Sequence, residues 1–430
     1  MKKKNPTILT LLILLLTVYT DLVCQVRNNY VTVPEGLDEY LSGVARGNLG
    51  LIAARFNVSI AEAELRASRV FPDPELSFSY ANNDDKTMQM GQSYDAGVSY
   101  QIKTGNVRKA AIEVAGTGVE LSRLVLDSYF RNLRADAAKS YYASVREKHI
   151  LNLQNETYDQ LRNLAAADSI RLKTGEAAEL DAIQTSLEAR LQYHNVLQSK
   201  ADMQNSLITL TILQGKSLTD SLVNPSSDFP ADDRDFLLAS LIDSALVRRT
   251  ELLVALKTTE LSEKNLNLLR ADRAFEFSIE AGYSYSTIVK NEIAPAPAYN
   301  AVSAGFAFPL KFSGLNRGRI TAAEYTLNQS KVYEQEAVLQ IQAEVTTAYN
   351  SYLAGMKKVE SFNLQLIENA EKILKGRIKA YQTGESGLLE LLNARKTYTD
   401  LRTNHIESLY EFTVALIELE RAAGIWDLTD

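Results

Sequence analysis

A mainly α-helical fold that carries a membrane β-barrel is predicted by three observations. The chain contains a duplicated unit of about 200 residues, very long helices bear an apolar seam stepping by three and four, and short strands alternate apolar and polar residues strictly. The repeat comes first because it organises the rest. A shift of 201 aligns Leu51–Phe78 with Leu252–Ile279 without a gap, pairing Ala54 with Ala255, Glu62 with Glu263 and Arg69 with Arg270. A shift of 208 then pairs Ala96–Lys103 with Ala304–Lys311, and a shift of 209 pairs Thr174–Gly215 with Thr383–Gly424. The offsets grow only across connecting segments, so the two units are collinear.

Residues 1–24 read as a secretory leader: Lys2, Lys3 and Lys4 precede the apolar run Ile8 to Val18 and a short polar exit toward Cys24. Cys24 is the sole cysteine, so no internal disulfide can form, and it is a possible lipidation site although Asp21, Leu22 and Val23 match a lipobox poorly. Ordinary cleavage near Cys24 is the alternative. No later apolar run reaches the roughly 18 residues of a spanning helix. The formal charge of −7 becomes about −9 without the leader, with both signs mixed along the chain, which argues against nucleic acid as a partner.

The first unit (25–216) and the second (236–424) have the same order of parts, joined by a linker at 217–235 and followed by a tail at 425–430. Each opens with a helix of about 30 residues, Leu37–Ser68 and Asp235–Arg270. A strand pair follows, at about 75–82 and 92–102 in the first unit and 275–287 and 299–310 in the second. "EFSIEAGYSYST" sets Phe275, Phe277, Ile279, Ala281, Tyr283 and Tyr285 against Glu276, Ser278, Glu280, Gly282, Ser284 and Ser286. Strands of about ten residues, apolar outward with tyrosines near the ends, are what a transmembrane barrel requires. This facing puts Phe306 and Phe308 toward lipid and Asp95, Glu276 and Glu280 toward the lumen. Four strands cannot close a barrel, for which about eight is the usual minimum, so several chains must contribute.

The next element of each unit is a very long helix. Lys109–Lys173 as one helix spans about 98 Å, and Val338, Ile341, Val345, Ala348, Tyr352, Met356, Val359, Phe362, Leu366, Ala370 and Ile373 mark a coiled-coil seam in the second unit. A Thr-Gly-Glu turn ends each, Thr174-Gly175-Glu176 and Thr383-Gly384-Glu385, before a return helix that reaches Gly215 or Gly424. Glycine supplies the positive φ such turns need. His149, His194 and His405 have no second ligand at helical spacing, and "SGLNRGR" lacks the Lys-Ser/Thr of a phosphate loop, so neither an enzyme nor a cofactor is expected.

The duplicated helix–hairpin–helix plan, "FPDPELSFSY" before the first strand pair, and "YQTGESGLLELLNARKTYTDLRTNHIESLYEFTVALIELERAAG" resemble the TolC-type outer-membrane efflux protein family over essentially the whole mature chain. The resemblance implies a homotrimer whose twelve strands form one barrel and whose helices form a periplasmic tunnel. It further implies docking to a periplasmic adaptor protein and an inner-membrane pump of RND or ABC type, with passive export and no chemistry. The two Thr-Gly-Glu turns become the periplasmic tip, and Ser217–Asp235 part of an equatorial belt. The family's first acidic gate position falls on Glu390, with Asp181 equivalent by the repeat; its second falls on Asn393, paired with Gln184, which departs from a doubled acidic ring. "FPDPELSFSY" is similar to the branch serving heavy-metal pumps, but it reads more simply as an entry segment before a strand, so the cargo stays open among drugs, heavy metals and proteins, and the system between tripartite efflux and type I secretion. The competing reading is a periplasmic coiled-coil scaffold or adaptor without a channel, which has no need of aromatic residues facing lipid.

Overall fold

The computed structural model describes residues 31–218, 221–230, 234–310, 314–362 and 364–426. The leader with Cys24, parts of the 217–235 linker and most of the tail lie outside the described residues. The chain is mainly helical: α3 (Val107–Thr174) and α4 (Glu179–Leu213) form one antiparallel hairpin, and α7 (Leu315–Ser361) with α8 (Leu364–Gln382) runs against α9 (Leu388–Ala423) as the other. At 68 residues α3 is about 100 Å long. Its length rests on packing, because Ala135, Ala138, Tyr141, Val145, Leu153 and Leu161 recur at helical spacing and are buried.

At one end of the helices lies a four-stranded antiparallel sheet of order β2-β3-β5-β6, with β2 Glu75–Asn82, β3 Gln92–Lys103, β5 Glu276–Ser286 and β6 Tyr299–Ala307. Register puts Leu76 opposite Val98, Val98 opposite Ala281, and Ala281 opposite Ala304. Because side chains alternate with period two, this alignment gathers the apolar set onto one face and the polar set onto the other.

Around the middle of the long helices the two units converge on paired cores. Tyr40, Leu41 and Val44 of α1 (Leu37–Gly47) pack on Ala138, Tyr141 and Leu210, while Leu241 and Ala245 of α5 (Leu238–Arg248) pack with Val345, Tyr352 and Leu416. A short parallel pair, β1 (Thr32–Glu35) with β4 (Leu222–Pro225), binds the N-terminal segment to the inter-unit linker. The Tyr141 hydroxyl donates to Glu35 O at 2.9 Å and accepts from Ser226 N and Ser227 N. Tyr352 does the same work in the second unit, donating to Arg234 O at 2.7 Å and accepting from Arg234 N.

Two expectations are corrected. Each opening helix is two: α1 breaks from α2 (Leu49–Ser68) at Asn48, and α5 breaks from α6 (Thr250–Ala271) at Arg249, both residues being extended. Asn48 explains the first break, since its side chain accepts from Leu51 N and donates to Leu213 O, each at 2.9 Å, capping one helix while tying it to the end of another. Arg249 holds the equivalent position and donates instead to Glu344 and Glu251. The second long helix also ends at Phe362, at φ −85° and ψ 49°, although its apolar seam runs through that point.

Gly47 and Gly215 meet where α1 crosses the end of α4. A Cβ on Gly215, which sits at φ +69°, would lie 2.1 Å from Gly47 O, whereas one on Gly175, at φ +77°, would meet open space. Gly175→Ala therefore loses only the left-handed penalty of about 1–2 kcal/mol. Gly215→Ala adds a backbone clash and lowers the denaturation midpoint further; equal midpoints for the two variants would contradict this close approach.

Candidate functional site

The tip is built from two copies of one turn. After α3, Gly175 N donates to Leu172 O at 3.1 Å and Glu176 N to Arg171 O at 2.8 Å; after α8, Gly384 N donates to Tyr381 O at 3.2 Å and Glu385 N to Ala380 O at 2.8 Å. Both are Schellman closures around a left-handed glycine. Thr174 and Thr383 turn their hydroxyls back onto carbonyls of their own helices, at Arg171 O and Ala380 O. Thr174, Gly175, Glu176, Thr383, Gly384 and Glu385 are all exposed, so the turns present backbone and two carboxylates to whatever approaches.

Beyond each turn lie the acidic positions. Glu390, half exposed, accepts from Arg377 Nη1 at 2.5 Å and from Ser386 Oγ at 2.7 Å, so within one chain its charge is already countered. Asp181 is partly buried and Gln184 exposed, with Gln184 Nε2 donating to Glu188 at 3.1 Å; Asn393 is exposed.

A cluster not foreseen from sequence lies behind these turns. Asp168 of α3 is fully buried, and only the hydroxyls of Tyr381 and Thr185 reach its carboxylate, neither in a close, well-aligned hydrogen bond. Arg171 Nη1 stands 3.7 Å away, while Thr185 of α4 and Tyr381 of α8 border it, Arg171 also lying 5.3 Å over the Tyr381 ring. Burial pushes the Asp168 carboxyl up, against Tyr381, Thr185 and Arg171, which act the other way, and Asp181 adds to the rise. Burial and Asp168 push the Tyr381 hydroxyl up to about 12. Farther along, Arg395 of α9 is buried, donates to Thr157 O at 3.5 Å, and is pulled down by burial. Apart from Arg171, three residues on from Asp168, their partners come from other helices, so no local pattern marks the cluster.

On the sheet, Phe306 and Phe308 are exposed on the apolar face. Two aromatic clusters bound that face: Tyr80, Tyr94 and Tyr285 in sequence at 5.1 and 6.3 Å near the loops, and Phe275, Phe277 and Phe308 near the helices, with Phe275 5.2 Å from Phe308. Tyr285 and Phe277 are eight residues apart along β5, roughly 27 Å. Asp95, Glu276 and Glu280 share the opposite face, where Ser79 Oγ donates to Asp95 at 3.0 Å and Lys103 pairs in register with Glu276.

The equatorial belt holds a cavity of about 300 Å³ lined in part by Arg131, Arg134, Arg249, Glu251, Glu420 and Trp426. His149, in the first unit, hydrogen-bonds Asp228 at 2.8 Å and stacks on Phe229; the His405 ring lies 5.8 Å from that of Phe362, tilted by 52°. Among the described residues no group of three or more His, Cys, Asp or Glu could hold a metal ion, and no helix is long and apolar enough to cross a membrane.

The sequence profile of the family described as outer membrane efflux protein matches residues 42–216 and 241–425, one segment in each unit. The chain belongs to the outer membrane efflux protein family. It is 20% identical over 395 residues to the cobalt-zinc-cadmium resistance protein CzcC of Cupriavidus metallidurans, covering 91% of this chain and 90% of that protein. It is also 20% identical over 311 residues to the outer membrane protein TolC of Vibrio cholerae, covering 68% and 71%. The fold superposes on crystallised CusC with a TM-score of 0.73 at 18% identity, covering 92% of this chain and 93% of that one. It also matches the open state of the Neisseria gonorrhoeae MtrE channel with a TM-score of 0.70 at 15% identity, covering 90% and 89%. This efflux protein is thus an outer-membrane export channel component of tripartite systems, and its family's members are channels, not enzymes.

The belt of the efflux protein carries a pH prediction. Burial pushes the Glu251 carboxyl up, but the Arg249 hydrogen bond and charge more than offset it and hold it below its ordinary 4.5; Lys139 and Arg421 do likewise for Glu418. Depressed carboxyls stabilise the fold above their ordinary value, and that stability is lost as pH falls through the lowered one. Resistance to denaturant should therefore fall steeply below pH 4.5. Arg249→Met should be weaker at pH 7 by about 1–3 kcal/mol, a discounted figure because both its carboxylate partners are partly solvated. It should also show a shallower acid decline; an unaltered pH profile would refute the assignment.

Proposed function

We propose that three copies of this chain close their sheets into one twelve-stranded barrel in the outer membrane and join their helices into a periplasmic tunnel. Cargo then moves passively from an inner-membrane pump to the outside. The observation that carries this reading is the sheet: one face apolar with aromatic clusters roughly 27 Å apart, and two edges, β2 and β6, without a further partner strand among the described residues. A band about 25 Å tall between aromatic girdles suits a bilayer. Hydrocarbon tolerates no open edge, and β6 of one copy can meet β2 of the next. Phe306 and Phe308 would face lipid, and Asp95, Glu276 and Glu280 the lumen.

At the far end, three copies bring six glycine turns around one mouth. Thr174, Gly175, Glu176, Thr383, Gly384 and Glu385 are the surface for a periplasmic adaptor, itself coupled to a pump of RND or ABC type. Glu390 and Asp181, with Asn393 and Gln184 one turn on, narrow the mouth. A ring of carboxylates in a constriction attracts cations. Heavy-metal ions are the cargo favoured by "FPDPELSFSY" and by the resistance protein of Cupriavidus metallidurans. A strain lacking this chain should then lose tolerance to cobalt, zinc or cadmium, and loss of drug tolerance alone would reassign the cargo.

The purified protein should require detergent for extraction and scatter light as a trimer; a monomer in mild detergent would sink the assembly. Phe306→Arg should impair insertion, because a lipid-facing Arg costs roughly 2–4 kcal/mol near midplane, whereas Glu280→Arg should assemble and alter ion selectivity. In planar bilayers Glu390→Ala should weaken block by divalent cations, and Arg377→Ala, which uncovers Glu390, should strengthen it. Block unchanged in both, and in Asp181→Ala, would mean that these acids do not line the constriction.

A further inference from the structure

The two hairpins share one turn but not one electrostatic arrangement. The 209-residue shift that superimposes Gly175 on Gly384 also places Asp168 on Arg377 and Asp181 on Glu390. In the second hairpin the pair is a cation against an acid, Arg377 and Glu390, closed at 2.5 Å and exposed to solvent. In the first hairpin the same two places hold an acid against an acid, and Asp168 is sealed from water. The repeat has replaced a salt bridge by a like-charged pair at the point where the second hairpin lies on the first.

That contact is specific. Tyr381, only 6% exposed, belongs to the core formed by Leu374, Leu388, Leu391 and Tyr398 on α8 and α9, with Leu164 of α3 packed against it. The same Tyr381 covers Asp168. The groups acting on the Asp168 carboxylate are Arg171 on α3, Asp181 on α4 and the hydroxyls of Thr185 on α4 and Tyr381 on α8; Arg377 on α8 is committed to Glu390 on α9. Thr185 already donates its hydroxyl to Ala182 O at 3.2 Å, and Arg171, at 3.7 Å, is beyond a close charge-assisted bond. The Tyr381 and Thr185 hydroxyls and Arg171 favour the ionised carboxylate, but burial outweighs them, so the neutral acid is the better fit in this place.

We propose that Asp168 is a proton-operated latch between the two hairpins: neutral, it lets α8 lie against α3 and α4; ionised, it draws in water and lets the second hairpin part from the first. The step is a simple proton release to solvent. Its direction follows from burial, which favours the neutral acid in the packed state. A carboxyl raised in the packed state stabilises that state below its ordinary value, and the stabilisation is lost as pH rises through the raised one. The tip is therefore tight in acid and loosens toward neutral pH. Each unit of difference in the Asp168 pKa between packed and parted states changes their ratio by up to about tenfold.

Two measurements test the latch. In planar bilayers, an arm that rests on the channel reading above, the wild-type open probability should rise by up to about tenfold between acid and neutral pH for each such unit. Asp168→Asn should stay closed and flat across the same range, with Asp168→Leu as a second non-ionisable variant should the amide fail to assemble. Independently of conduction, spin labels on Glu176→Cys and Glu385→Cys in a Cys24→Ser background report the distance between the turns. It should lengthen as pH rises in the parent and stay constant in both Asp168 variants. A flat parent profile in the distance arm, or a pH response retained after Asp168 is replaced, overturns the latch. A wild type that never conducts while its distances still respond removes the channel reading and leaves the latch standing.

Discussion

The two open edges of the four-stranded sheet are the constraint on which the rest of this architecture depends. A β-ladder can be left unpaired in water, where solvent takes its N–H and C=O groups, but not in hydrocarbon. With an apolar face bounded by tyrosines at one end and phenylalanines at the other, β2 and β6, which have no further partner strand among the described residues, would need partners outside the chain if the sheet lies in a bilayer as proposed. On the proposed reading, closure by identical copies makes a ring, and a ring sets the long helices below the sheet side by side around an axis. Each unit's glycine turn sets the lower end of its hairpin. The helices between sheet and turn need only be long, antiparallel and apolar along the faces they bury.

What fixes the hairpins relative to each other is the belt. Tyr141 and Tyr352 each place one hydroxyl where it serves as donor to one backbone carbonyl and acceptor from backbone N–H groups in the connecting segments. A buried tyrosine so used carries its ring into the core and satisfies loop backbone that would otherwise need water. The glycines at Gly47 and Gly215 let α1 cross the end of α4 at backbone contact, and Gly424 meets Arg248 in the second unit with more room, 3.2 Å to Arg248 Cβ for an added Cβ. The repeat thus preserves the crossing while relaxing its steric demand, which is why Arg248 is tolerated where the first unit has Gly47.

The sequence is legible where the signal is local. Alternation along β5 needs no partner to be recognised, and the registers place its residues on common faces with those of β3 and β6. The turns at Gly175 and Gly384 are legible because only glycine adopts their φ cheaply. The breaks at Asn48 and Arg249 are not, since the apolar periodicity passes through both and what interrupts the backbone is a tertiary bond, to Leu213 in one case and Glu344 in the other. The β1–β4 pair is four residues long with a proline in each strand, too short for any pattern. Glu390 is legible as an acid near a turn, but the Arg377 that covers it comes from the preceding helix across the turn. Asp168 is the limiting case, because one carboxylate in a 68-residue helix looks like any solvated residue until Tyr381, more than 200 positions away, is seen to lie over it.

Duplication explains why such divergence is available at the tip and not at the belt. At the belt each unit packs on the other through buried tyrosines, capped breaks and glycine crossings, so a change in one unit must be matched by its neighbour. At the tip the two turns close themselves with bonds inside their own helices, Glu176 N to Arg171 O and Glu385 N to Ala380 O, and need nothing from each other. Substitution just behind a self-sufficient turn leaves the hairpin intact and alters only the force between hairpins. The second unit keeps an exposed ion pair there, which contributes little to stability in water. On the proposed reading, the first holds a buried acid whose charge state decides whether water is drawn in between the units.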